Sequence, residues 1–200
     1  LYVRAAGYAG FRPPTLNELY RPFRVGNDIT EANAALAPER LYGVEAAIGG
    51  QQGPVSWSAT VFDNRLSDAI TNVTVGIGPG AVPGFPDVGV LPAGAVVRQR
   101  RNAGSIDAVG VEAEASLKLA PNLTARLAGD YTDAKVDGGT QAPQLTGLRP
   151  AQAPRVTATA GADWRIGERL SLHGQLRYEG ARFDDDLNTR RLAPSLVVDA

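Results

Sequence analysis

The sequence predicts an all-β fold, an antiparallel up-and-down transmembrane β-barrel represented by about eight strands. Three observations predict it: period-two alternation that is nearly unbroken in places, connections that alternate strictly between long and short, and aromatic residues sorted by strand end. Alternation alone means only that a sheet has one apolar face. The other two observations say what that face meets.

The alternation is clearest late in the chain. Val156, Ala158, Ala160, Ala162, Trp164 and Ile166 oppose Thr157, Thr159, Gly161, Asp163 and Arg165. Leu170 to Tyr178, Val111 to Leu119 and Leu123 to Asp133 repeat the pattern, and noisier versions cover residues 1–9, 41–48 and 55–66. No segment carries a helical period. At the start, a strand runs into Gly10-Phe11-Arg12-Pro13-Pro14-Thr15. Two prolines supply no N–H and cannot continue a ladder, so the chain must leave the sheet there.

The connections then fall into order. Long excursions at 10–39, 71–98, 134–154 and 184–194 alternate with tight turns at 49–54, 120–122 and 167–168. In an up-and-down sheet this places every short turn at one end and every long loop at the other. Greek-key sandwiches mix loop lengths at both ends, whereas outer-membrane barrels separate them. Trp57 and Trp164 sit on the apolar face beside short turns, and Tyr42, Tyr131 and Tyr178 on the same face toward the long loops. Two aromatic girdles at two water interfaces have that placement. The other face mixes both signs in Glu112, Glu114, Lys118, Arg126, Asp130, Asp163, Arg165, Arg177 and Glu179. A wet lumen tolerates such charges because they pair across strands, while lipid-facing charges cost about 2–4 kcal/mol each at the midplane. A mean hydropathy of −0.14 is therefore compatible with a membrane protein.

Composition excludes several classes. A net charge of −1 gives no basic face for nucleic acid. With no cysteine there is no disulfide scaffold, thiolate metal site or cysteine nucleophile. No apolar run reaches the ~20 residues of a spanning helix. The glycine-rich 76–94 segment has no phosphate-loop pattern, and no Ser/His/Asp spacing suggests a catalytic triad. The chain is read as no enzyme, with no cofactor.

Candidate binding groups are few. His173, the single histidine, reads as a lumen residue without ligand spacing. Asp184-Asp185-Asp186 opens a long loop without the spacing of a Ca²⁺ loop and reads as a solvated turn. Arg98, Arg100 and Arg101 re-enter the barrel from the longest excursion, and Arg24, with Arg21 and Arg40, adds positive charge from another. These arginines are the rim candidates for an anionic substrate, for lipopolysaccharide or for salt bridges within the lumen.

The opening stretch also carries a resemblance. Gly10-Phe11-Arg12-Pro13-Pro14-Thr15-Leu16-Asn17-Glu18-Leu19-Tyr20, followed by Asn33-Ala34-Ala35-Leu36-Ala37-Pro38-Glu39, resembles the signature of TonB-dependent outer-membrane receptors. Val61–Ile70, Asn102–Glu112, Pro154-Arg155 and Tyr178–Phe183 are similar, in order, to later strands of the same family. Pro13 stands where the family often has alanine. The resemblance covers the whole chain and implies part of a barrel of about 22 strands. On this reading residues 1–200 are a fragment of the barrel domain, with the plug and terminal strands outside it. It further implies the bacterial outer membrane as location and active uptake of a scarce solute such as siderophore-bound iron or cobalamin. The implied partners are outer-membrane lipid and lipopolysaccharide, a small-molecule or metal-chelate substrate, and the TonB-ExbB-ExbD complex acting through the plug. A passive porin-like or OmpA-like barrel is the alternative, and a soluble β-sandwich module a third.

Overall fold

The computed structural model describes residues 1–200. Eight strands form one antiparallel sheet: β1 Tyr2–Arg12, β2 Glu39–Gln52, β3 Val55–Ser67, β4 Ser105–Ala120, β5 Leu123–Asp137, β6 Val156–Ile166, β7 Leu170–Glu179 and β8 Ser195–Asp199. Each pairs only with its sequence neighbours, in the order β1 to β8. This is the up-and-down meander that the loop lengths predict. β1 ends at Arg12, one residue before the double proline. Gly53-Pro54, Pro121-Asn122 and Gly167–Arg169 make the tight turns at one end. Gly53 and Gly167 take φ of 58° and 68°, a left-handed conformation that a Cβ disfavours.

Register settles the faces. Val3 lies opposite Ile48, Ile48 opposite Ala59, Trp57 opposite Ala115, Val111 opposite Tyr131, Tyr131 opposite Val156, and Ala158 opposite Tyr178. All of these lie on one face, and both tryptophans and the three girdle tyrosines share it. The opposite face carries Arg4, Glu45, Ser58, Glu114, Arg126, Asp163, His173 and Gln175. Ser58, Glu114, Arg126, Thr159 and Gln175 jointly line a trough of about 670 Å³. A flat sheet cannot enclose such a volume, so the polar face is the concave one.

Strands β2 to β5 run 13 to 16 residues and outlast the bilayer at the long-loop end. Toward the long-loop end the outward face turns charged, with Asp63, Arg65, Asp107, Asp133 and Lys135, and Arg65 lies opposite Tyr42. Arg65 pairs with Asp107 at 3.4 Å. The alternation persists there while its apolar half ends, which marks where lipid gives way to water.

The long connections are folded. Thr15 caps a five-residue helix, α1 Leu16–Tyr20, through a reciprocal capping box with Glu18. One helical turn is too short to show a period, and the Thr-x-x-Glu spacing is the signal that reveals it. Segments Phe23–Val25, Asp28–Glu31, Val96–Asn102 and Ile70–Ile77 build a second, four-stranded sheet from the first two excursions. Two apolar cores lie in this loop layer. One joins Ile29, Val82, Leu91, Ala95 and Val97, the other Val73, Ala103, Val136, Ala142 and Leu145.

Candidate functional site

The site is best built from the place where β1 leaves the sheet. Arg12, the last strand residue, donates to Glu39 at the start of β2 and to Glu18 of α1 at 3.0 Å. Glu39 is 7% exposed, and its second oxygen accepts the Ile70 N–H at 2.7 Å. Glu18 receives the Thr15 N–H at 2.7 Å, while Thr15 Oγ1 accepts the Glu18 N–H. Burial pushes the Glu18 carboxyl up, but hydrogen bonds from Arg12 and Thr15 outweigh it and leave the group below the ordinary carboxylate range. The polar residues of the opening motif thus form a latch that pins the first excursion to the rim. Asn33 extends it by holding the Arg100 carbonyl at 3.0 Å. Asn102 holds Ala37 and Asp68.

The four rim arginines are mostly engaged by the loops themselves. Arg24 donates to the Gly26 carbonyl at 2.9 Å. Arg100 reaches the Asn17 and Arg21 carbonyls at 2.6 and 3.0 Å, closing the end of α1, and lies over the Phe23 ring. Arg101 bonds Gln99 and, across excursions, the Gln141 carbonyl at 3.1 Å. Arg98 pairs with Asp28 at 3.2 Å. Of the four, Arg98 alone lines the cavity that the loops enclose.

That cavity, about 600 Å³, sits beneath the loop layer at the mouth of the sheet. Arg98, Asp28, Thr71, Asn72, Arg149 and Arg190 supply much of its polar lining. Its size falls in the range of small-molecule sites. Thr71 Oγ1 is buried there without a protein partner. Arg149 ion-pairs with no carboxylate; burial, with Arg155 nearby, lowers its pKa. Sequence reasoning missed Arg149, since a lone Leu-Arg-Pro in a loop carries no spacing signal.

The acidic run corrects an expectation. Asp184-Asp185-Asp186 is not a solvated turn but the knot of the last excursion. Asp185, 6% exposed, accepts the Thr189 and Arg190 N–H groups and the Thr189 hydroxyl. Burial raises its carboxyl, and these donors more than offset that, holding it below the ordinary range. Asp186 accepts the Thr74 N–H and hydroxyl at 2.7 and 2.6 Å, tying the last excursion to the second. Asp184 pairs with Arg190 at 3.2 Å. The donors to Asp186 lie 112 positions away at Thr74, which the run itself cannot reveal.

On the concave polar face, charges pair across strands as the wet-lumen reading predicts. Arg4 meets Glu45 at 3.1 Å, and Ser58 donates to Glu114 at 2.9 Å. Asp163 sits between Arg126 and His173, whose Nδ1 is 2.9 Å away. His173 thus lies on the polar face, in a pair with one carboxylate. The Tyr8 ring lies over Gly43, and its hydroxyl donates to Asn64 at 2.6 Å. A Cβ at Gly43 would collide with that ring.

Comparisons with known proteins agree with this architecture. No curated protein sequence matches significantly. Solved structures do. The ferric enterobactin receptor PfeA of Pseudomonas aeruginosa is 20% identical, with a TM-score of 0.61 over 98% of this chain and 29% of its own. The ferric yersiniabactin uptake receptor FyuA of Yersinia pestis is also 20% identical, with a TM-score of 0.61 over 98% of this chain and 26% of its own. The copper transporter OprC is 17% identical, with a TM-score of 0.64 over 98% and 27%. At such identities these likenesses show the fold, and the chain spans less than a third of each protein. A family model described as "TonB dependent receptor-like, beta-barrel" matches residues 1–200. With its outward girdles, concave polar face and latched loops, the chain belongs to the TonB-dependent receptor family, as part of its outer-membrane β-barrel.

Proposed function

We propose that this chain is the substrate-capturing part of an outer-membrane receptor that imports a scarce metal chelate, with energy supplied through TonB. One observation carries the reading: the long loops are folded into a layer that, with the sheet's upper end, lines a cavity of about 600 Å³ at the mouth of the sheet. A passive pore needs an open mouth, whereas a capture receptor needs a preformed site at the entrance. The proteins named above are receptors or transporters for ferric enterobactin, ferric yersiniabactin and copper, which supports chelated metal as the substrate class. Arg98 and Arg149 are the groups proposed to meet it, as cations that line the cavity. Arg24, Arg100 and Arg101 are proposed to act indirectly, by holding the loops.

The test is uptake by a receptor-deletion strain complemented with the full-length gene, on defined sources of siderophore-bound iron, cobalamin and copper. Growth on one source that requires both the receptor and TonB is expected. Receptor-dependent uptake that persists without TonB would overturn active transport. Arg98→Ala with Arg149→Ala should raise the concentration for half-maximal uptake about tenfold or more, the loss of one or two charge-assisted contacts.

A further inference from the structure

The carboxylates of the cavity at the mouth of the sheet are not held alike. Asp28, Asp184, Asp185 and Asp186 line it together with Arg98, Arg149 and Arg190. Loop N–H and hydroxyl donors fill Asp185 and Asp186. Asp184 takes Arg190 at 3.2 Å and the Gln152 amide at 2.6 Å. Asp28 is the exception. Its one side-chain partner is Arg98, through a single contact of 3.2 Å.

The two ends of that pair differ as well. Arg98 sits on an inner strand of the loop sheet, opposite Thr30 on one side and Thr74 on the other. Asp28 opens its strand directly after the Gly26-Asn27 turn and pairs with Val25 of the edge strand. The Arg98 side chain is 14% exposed and that of Asp28 34%. A guanidinium so far buried needs an anion beside it, and the carboxylate on the turn is the partner that can swing away. A carboxylate tethered this closely competes as though present at millimolar concentration or more. A free monocarboxylate therefore offers Arg98 nothing that Asp28 does not. A ligand with several anionic groups can engage Arg98 and Arg149 together, and so displace it.

We propose that Asp28 is a displaceable counter-ion, a built-in competitor for Arg98 that restricts the cavity to ligands carrying more than one anionic group. The inference rests on the reading of this cavity as the capture site and names a residue that sets its specificity. In the empty cavity Asp28 neutralises Arg98. When a polyanionic chelate enters, Arg98 exchanges one carboxylate for another and is never left bare.

The test labels the full-length receptor with phenylglyoxal, which modifies accessible guanidinium groups. Peptide mass spectrometry reads Arg98 and Arg149 during titration with tricarballylate, a tricarboxylate, or with acetate. In the wild type tricarballylate should protect Arg149 at about millimolar concentration, and acetate at the same concentration should not. Asp28→Asn should lower the protecting concentration of tricarballylate about tenfold and let acetate protect Arg98. Asp87→Asn, which removes the same charge elsewhere in the second excursion, should behave as wild type. An equal gain in both variants overturns the proposal, because it assigns the effect to net charge. So does weaker protection in Asp28→Asn, the sign expected of a pair that merely braces the turn. If Arg149 is protected and Asp28→Asn changes nothing, the counter-ion role alone fails. If tricarballylate protects neither arginine in any of the proteins, the capture-site reading fails with it.

Discussion

The spanning sheet and the loop layer are built on opposite plans from the same chain. In the sheet the large apolar residues point outward: Leu127 is 60% exposed, and Val44, Trp57, Val61, Leu172 and Leu176 share its face. In the loop layer they point inward, and Leu145, Val73 and Val97 are almost wholly buried. The sheet expects lipid as its second layer, whereas the loops must supply their own. The sheet is therefore held by ladder hydrogen bonds and an external solvent, the loops by conventional cores and long-range polar ties.

The largest expected effect tests the loop side. Leu145→Ala should destabilise the loop layer by about 2–5 kcal/mol, since nothing refills the space. Faster proteolysis of the loops with unchanged heat-modifiable migration is the expected result, and an unaltered digestion pattern would dissolve the distinction. The mirror test is Leu127→Arg, midway between the two girdles. On a water-exposed surface this change is nearly neutral, but against lipid it should cost about 2–4 kcal/mol, read as reduced refolding yield into bilayers. A neutral outcome would move that face out of the membrane.

The latch between the regions comes next. Arg12→Ala leaves the Glu39 carboxylate buried beside a single N–H donor, and should cost about 1–3 kcal/mol in the ordering of the first excursion. Hydrogen exchange at residues 13–38 checks it, with β1 and β2 unchanged. The smallest effect is a pH dependence confined to the loops. The Glu18 and Asp185 carboxyls are depressed in the folded state, so their contribution is complete above the ordinary carboxylate range and lost as pH falls through the folded values. Below about pH 4 the loop layer should loosen while the sheet persists, which pepsin digestion reports. Loosening on raising the pH instead would contradict the assignment.

How much of this was legible beforehand divides along the same line. The Val156–Ile166 alternation names a strand, its two faces and its girdle tryptophan at once, because pleat geometry alternates side chains locally. The rim arginines show the reverse. Arg98, Arg100 and Arg101 read as one basic cluster, yet Arg98 turns to Asp28, Arg100 to the end of α1 and Arg101 to Gln141. Charge counting finds such groups and says nothing of their partners, which lie tens of residues away. The opening motif falls between: its double proline predicted the break, while its arginine and glutamates found their purpose only when β2 came alongside.

By itself, then, the sequence determined which segments span, which face meets lipid and at which end the loops gather. These follow from periodicity and turn chemistry, whose range is a few residues. Only the tertiary structure decided that the excursions fold into a layer with its own cores, and that Asp186 ties the last excursion to Thr74 of the second. Each of these depends on loops closing over long separations, and there the geometry of the whole barrel mouth selects the neighbours.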